Sequence, residues 1–191
     1  GREARVSLES LTASSQLSDH PADLAGDGQP ETFWVSDSKG PGGGPTREKP
    51  QWLQFTFSEP VTVDNVTIAP RPGYGPSEWT LQVSDDGEKF LSVDTNSVSP
   101  SVSRLAQTVP ARRGKVFRVV FLGAFDPRHP DAPRNVQVAE VKLSGPDGSW
   151  PGAKRRPIQN AGQKALLKSL VPFSAPDSQP LFDEFPPEPG E

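Results

Sequence analysis

Between residues 51 and 57 the side chains alternate, with Leu53, Phe55 and Phe57 on one side and Trp52, Gln54 and Thr56 on the other. A period of two places one row in a core and the other outward, as in a β-strand covered on one face. Val61 and Val63, then Val66 and Ile68, continue the pattern after Glu59 and Pro60, which predict a turn. Trp79, Leu81 and Val83 repeat it, and Ser84, Asp85, Asp86 and Gly87 close that strand with residues that favour tight turns. Residues 104–109, 115–121 and 136–143 are further strands, and 115–121 is apolar on both sides, which predicts a central position. Six or more short strands with almost no helical periodicity predict an all-β fold, an antiparallel sandwich or barrel. Trp34, Trp52 and Trp79 lie in or beside these strands and are expected to pack in the core or at its rim.

Composition narrows the chemistry. The 191 residues contain no cysteine, so there is no disulfide framework, no thiolate metal site and no cysteine nucleophile. A net charge of −4 argues against nucleic acid or anionic lipid as a partner, and the short cluster Lys154, Arg155, Arg156 does not change that. No apolar run approaches the roughly 20 residues that span a bilayer, so no membrane segment is expected. Gly1 begins a chain that has no methionine, which suggests an excerpt or a processed product.

Organisation changes near Gly145. Residues 1–145 carry the strand pattern, whereas 146–191 hold nine of the 23 prolines and little periodicity. A short helix is expected over 160–170, with Leu166, Leu167 and Leu170 on one side. From Pro172 onward the chain has six prolines, five acidic residues and no Lys or Arg, a composition that does not fold alone. This Pro-rich extension reads as a linker, or as a strap docking Leu181, Phe182 and Phe185 onto a folded neighbour.

Two long intervals between strands, 19–50 and 123–134, are rich in Gly, Pro and Asp. They are either solvated connections or the place where binding happens. Within the first, residues 21–34 offer the Asp27 carboxylate, the Thr32 hydroxyl and carbonyls kept out of regular structure by Gly26, Gly28 and Pro30. Calcium takes six to eight oxygens, and a distant carboxylate would close such a shell. Glu140 is that candidate, because the apolar alternation around it would otherwise hide a costly charge. The plain alternative is an acidic turn and an exposed strand Glu. Tyr74 is held out on a loop by Pro72, Gly73 and Gly75. His129 has no second histidine nearby and is not expected to ligate zinc, and the glycosylation triplet at Asn65, Val66 and Thr67 falls inside a strand. There is no nucleophile elbow, phosphate-cradling glycine loop or HExxH motif, so the chain is not expected to be an enzyme by itself.

The ordered set TASSQ (12–16), PADLAGDGQPETFW (21–34), PQWLQFTF (50–57), VTVDNVTIAPR (61–71), WTLQVSDDG (79–87) and VAEVKLSG (138–145) resembles the discoidin, or coagulation factor 5/8 type C, domain. The nearest branch is the bacterial carbohydrate-binding module of family 32. The resemblance covers nearly all of residues 5–145 and implies a β-sandwich jelly roll with a structural calcium. It implies metal ligands at Ala25, Asp27, Gln29, Thr32 and Glu140; Gly26 and Leu24 depart from the family pattern without removing one. Sugar-binding groups are implied on end loops, where Arg71 matches a family arginine and Tyr74 shares its loop. Phe125, Asp126, Arg128 and His129 lie near the usual stacking aromatic. After Trp34 the chain runs Val35, Ser36, Asp37, where galactose-binding members carry a His and an aromatic, which weakens the case for galactose.

Residues 160–191 also resemble the segment joining such a module to the rest of large bacterial glycoside hydrolases, notably α-L-rhamnosidases of family 106. The expected function is therefore a non-catalytic carbohydrate-binding module that holds an attached hydrolase, the catalytic domain of the same polypeptide, on a plant-type polysaccharide or oligosaccharide. The domain type implies a secreted or periplasmic location. The competing expectation is a structural spacer without its own sugar site. Membrane binding would need apolar spikes beside basic residues, and these loops supply mainly Gly, Pro and acids.

Overall fold

A computed structural model describes residues 6–152 except Lys39. The helix expected over 160–170 and the Pro-rich strap lie outside the described residues. Among the described residues no helix is long and apolar enough to cross a membrane.

Among the described residues eight strands form the fold: β1 Leu8–Ala13, β2 Trp34–Val35, β3 Gln51–Pro70, β4 Pro76–Ser84, β5 Leu91–Ser97, β6 Leu105–Ala124, β7 Gln137–Gly145 and β8 Gly148–Trp150. A single turn of 3-10 helix covers Ala22–Ala25. All pairings are antiparallel, in the order β2-β7-β3-β6-β4-β5, with β1 beside β3 and β8 beside β7. The result is the jelly-roll sandwich that the alternation and the family resemblance imply.

β3 and β6 are each 20 residues long and serve both layers. The first part of β3 pairs with β1 and with residues 116–121 of β6, while its second part pairs with β7 and the start of β6. The expected turn at Glu59 and Pro60 is instead a register break between Thr56 and Val61 within one bent strand. Proline lacks the ladder N–H, so a bulge accommodates it. The two apolar runs 104–109 and 115–121 merge into β6 in the same way, and their second half is central as expected, between β3 and β4. The core comes from both layers, with Leu53, Phe55, Phe57, Phe117, Phe121 and Trp79 facing Ile68, Val138, Val141 and Trp34 in one buried cluster. Trp52 departs from the other tryptophans: it is half-buried on the outer face, 4.0 Å from the Arg118 guanidinium.

The paired strands continue beyond Gly145, where the sequence places the boundary, to Trp150. Pro146, Asp147 and Gly148 reverse the chain into β8, which pairs Trp150 with Leu143, and Trp150 packs edge-on against Phe57 at 4.9 Å. Turn residues followed by a three-residue strand leave no alternation to read. Gly145 is required here by close approach, since a Cβ would sit 2.0 Å from the Thr62 carbonyl oxygen. Backbone cannot rotate aside, so Gly145→Ala is expected to cost about 2 kcal/mol. Chemical denaturation would show a lowered midpoint at unchanged slope; an unchanged midpoint would refute the contact.

Candidate functional site

Three loops meet at one end of the sandwich. Residues 71–75 leave β3 in a turn closed by the Tyr74 N–H donating to the Arg71 carbonyl at 2.9 Å, with Gly73 at φ +88°, a left-handed conformation suited to glycine. The Arg71 N–H donates to the Gln137 carbonyl and the Gln137 N–H to the Tyr74 carbonyl, which fixes the loop to β7. The Arg71 guanidinium then lies 4.8 Å from the Phe33 ring centre and 4.9 Å from that of Tyr74, and donates to Gln137 Oε1 at 2.7 Å. Phe33 is buried and stacks on His20 at 4.6 Å. Arg71, Tyr74 and His20 are half-buried.

His20 Nδ1–H donates to the Phe33 carbonyl at 3.0 Å, which fixes the neutral tautomer and makes Nε2 the acceptor nitrogen. Burial, assisted by the Arg71 charge, lowers its pKa below the ordinary 6.5, against the opposing pull of the Phe33 carbonyl and Asp19. The unfolded chain therefore binds a proton at His20 before the folded one does. Stability from this group is complete above pH 6.5 and declines as the pH falls through the lower folded value. NMR titration of the ring protons should report a midpoint below 6.5, and His20→Gln should flatten that part of the stability profile. A midpoint at or above 6.5 contradicts the burial argument.

The second loop, 125–134, is organised around Asp126, whose side chain is 1% exposed. Its carboxylate accepts from Arg134 Nε at 2.8 Å and Nη2 at 3.1 Å, and from the backbone N–H groups of Arg134 and Arg128. Burial opposes ionisation, but the Arg134 and Arg128 bonds and the Arg134 charge together outweigh it and hold Asp126 below the usual carboxylate range. The Phe125 N–H donates to the Gly75 carbonyl at 2.8 Å, which seats this loop beside the first. Phe125 and His129 are half-buried and Arg128 is exposed. The third loop follows β2 and rests on the second, through Gly42 N–H to Ala132 and Gly44 N–H to Pro133.

The acidic loop after the 3-10 turn folds on itself. Asp27 Oδ1 accepts from the Gln29 N–H at 2.9 Å and Oδ2 from the Thr32 hydroxyl at 2.5 Å. Gly26, Gly28 and Glu140 line one cavity of about 220 Å³ together with Lys142 and Pro151. Glu140 Oε1 accepts from Arg104 Nη1 at 2.6 Å. Among the described residues no three acidic or histidine side chains gather into a metal cluster.

A family model described as the F5/8 type C domain matches residues 10–151. The chain belongs to that family. A comparison with curated proteins returned no match. Among solved structures, this F5/8 type C domain is similar to CpGH89CBM32-5 from Clostridium perfringens, in complex with GalNAc-β-1,3-galactose, at 19% identity and TM-score 0.57, covering 71% of this chain and 94% of that one. It is similar to the family 32 module of C. perfringens NanJ in complex with galactose, at 16% identity and TM-score 0.57, covering 70% and 91%. A chitosan-binding module from a chitosanase/glucanase of Paenibacillus sp. IK-5 matches at 25% identity and TM-score 0.57, covering 73% and 96%.

The site of this F5/8 type C domain joins Arg71 to Tyr74 directly, and reaches Phe125, Arg128 and His129 through the main-chain link between Gly75 and Phe125. His20, Phe33 and Gln137 complete it and were not singled out from sequence. The signal for Phe33 was its place in the TFW motif; nothing local marks His20, which arrives from the segment before the acidic loop.

The acidic loop offers oxygen donors of the kind calcium takes, and one cavity sets Glu140 of β7 beside Gly26 and Gly28 of that loop, with Lys142 also in its lining. Arg104 bonds Glu140 through Oε1, which leaves Oε2.

Proposed function

We propose that this domain is a non-catalytic carbohydrate-binding module whose end loops hold a glycan through Arg71 and Tyr74. The observation that carries the reading is the half-buried guanidinium set beside two rings at a loop end. A pyranose presents C–H faces to an aromatic and hydroxyls to hydrogen-bonding groups, and this cluster offers both. Solved modules of the same fold are described as bound to galactose, as chitosan-binding and as pectin-binding, which supports a saccharide ligand and a plant-type polysaccharide among the candidates. The module would keep an attached glycoside hydrolase on its substrate, in a secreted or periplasmic protein. A shallow site buries little area, so single-site affinity is modest.

In this reading calcium is a structural staple. Ala25, Asp27, Gln29, Thr32 and Glu140 would hold it, and it would supply positive charge between the acidic loop and β7. Binding only to the folded state stabilises by RT ln(1 + [L]/Kd), about 1.4 kcal/mol at ten times Kd, and raises the melting temperature by roughly 3–6 °C. Thermal melts in calcium and in chelator should differ by that amount in the natural sequence and not in Asp27→Asn. Identical melts would exclude the staple.

The spacer reading draws support from the bond between Arg71 and Gln137, by which the loops occupy part of their own space. Calorimetric titration with galactose, rhamnose and pectic oligosaccharides separates the two: heat that saturates with the natural sequence and is lost in Arg71→Ala supports the module, and none that depends on Arg71 supports the spacer.

A further inference from the structure

A second surface lies away from the loops, on the outer face of the layer β1-β3-β6-β4-β5. The strand registers place Thr12, Gln54, Arg118, Gln82 and Ser92 opposite one another in one row across five strands. Four strand spacings make that row about 19 Å long, the reach of an oligosaccharide rather than of a single sugar. Every member is exposed or half-buried, and only Arg118 is charged.

Arg118 is an unusual cation. Its guanidinium carbon lies 4.0 Å from the Trp52 ring centre and 4.0 Å from that of Phe90, so it is clamped between two aromatics. Phe90 is delivered by the turn after β4, where Asp86 accepts from the Glu88 and Lys89 N–H groups and from the Ser84 hydroxyl. Nε donates to Gln54 Oε1 at 2.8 Å, and among the described residues no carboxylate pairs with the guanidinium. Partial burial makes the charged form harder to keep, and no acidic neighbour offsets this. A cation partly stripped of water, with N–H donors left and its planar fork fixed by two rings, is organised for a carboxylate. The amides and hydroxyls on either side suit the hydroxyls of a polyol, and Leu91 is the one large apolar side chain classed as exposed among the described residues, which disfavours an apolar protein interface.

The geometry points to a second glycan-binding surface on this face, one that takes an acidic, uronate-bearing oligosaccharide with a carboxylate on Arg118 and hydroxyls on Gln54 and Gln82. It is independent of the loop-end site, so each can fail alone. The test is affinity of the full chain for oligogalacturonate and for its methyl ester, by calorimetry or gel retardation. Oligogalacturonate should bind, Arg118→Gln should weaken it at least tenfold, methyl esterification should do the same, and Arg112→Gln, which removes an exposed charge outside the row, should leave binding intact. Arg118→Lys, which keeps charge and loses the clamped fork, should recover only part, and circular dichroism should show all variants folded. Equal binding by Arg118→Gln, no binding by the natural sequence, or loss in Arg71→Ala alone would overturn the proposal. So would self-association that Arg118→Gln abolishes, which would make the face a protein interface.

Discussion

Asp126→Asn is expected to destabilise the domain by about 4 kcal/mol, because it removes the buried carboxylate that faces the Arg134 guanidinium and puts an amide NH2 among donors that need an acceptor. The Asp126 side chain is 1% exposed and that of Arg134 only 14%, so water cannot replace the lost bonds. The carboxylate also gathers two backbone N–H groups, so the loop 125–134 would loosen and Phe125, Arg128 and His129 would lose their common support. Acid should reproduce the effect. The folded pKa lies below the ordinary 3.8, so this stability is complete above pH 3.8 and lost as the pH falls through the folded value. Urea denaturation at neutral and acid pH measures both: the natural sequence should lose stability below pH 3.8 through this group while Asp126→Asn, already weakened, does not. Equal stability of the two proteins at neutral pH would show that the pair is not structural.

Arg71→Ala is expected to raise Kd for a neutral glycan about a hundredfold, or about 2.7 kcal/mol. The substitution removes a charge-assisted donor set, about 1.5–3 kcal/mol per bond, and the cation beside the Phe33 and Tyr74 rings. Arg71→Lys should rescue little, because a point charge does not replace a planar fork held by Gln137. Calorimetry on variants whose melting temperature is unchanged makes the comparison; a retained Kd would remove Arg71 from the site.

The sandwich was legible because strands in a two-layer fold carry their burial in alternation. Leu53, Phe55 and Phe57 announce an inward row, and the doubly apolar run ending at Phe121 announces a central strand. Bends were not legible, since continuity across Pro60 depends on partners in both layers. β1 was not singled out, because its weak Leu8 and Leu11 pattern gains meaning only against Phe57 and Phe55. In the site, Arg71 and Tyr74 were legible as neighbours on one loop. His20 was not: it reaches Phe33 through a Nδ1 to carbonyl bond across the acidic loop, and no spacing rule encodes that approach. The clamp on Arg118 is hidden for the same reason, since Trp52, Phe90 and Arg118 come from three separate segments.

The central claim is that a glycan sits on the loop end at Arg71. Backbone chemical-shift mapping of the isotopically labelled chain, titrated with galactose or rhamnose, tests it most directly. The account predicts saturating shifts concentrated at His20, Phe33, residues 71–75 and Phe125, with the β5 edge silent. Shifts that avoid residues 71–75, or a spectrum unmoved by either sugar at high concentration, would contradict it.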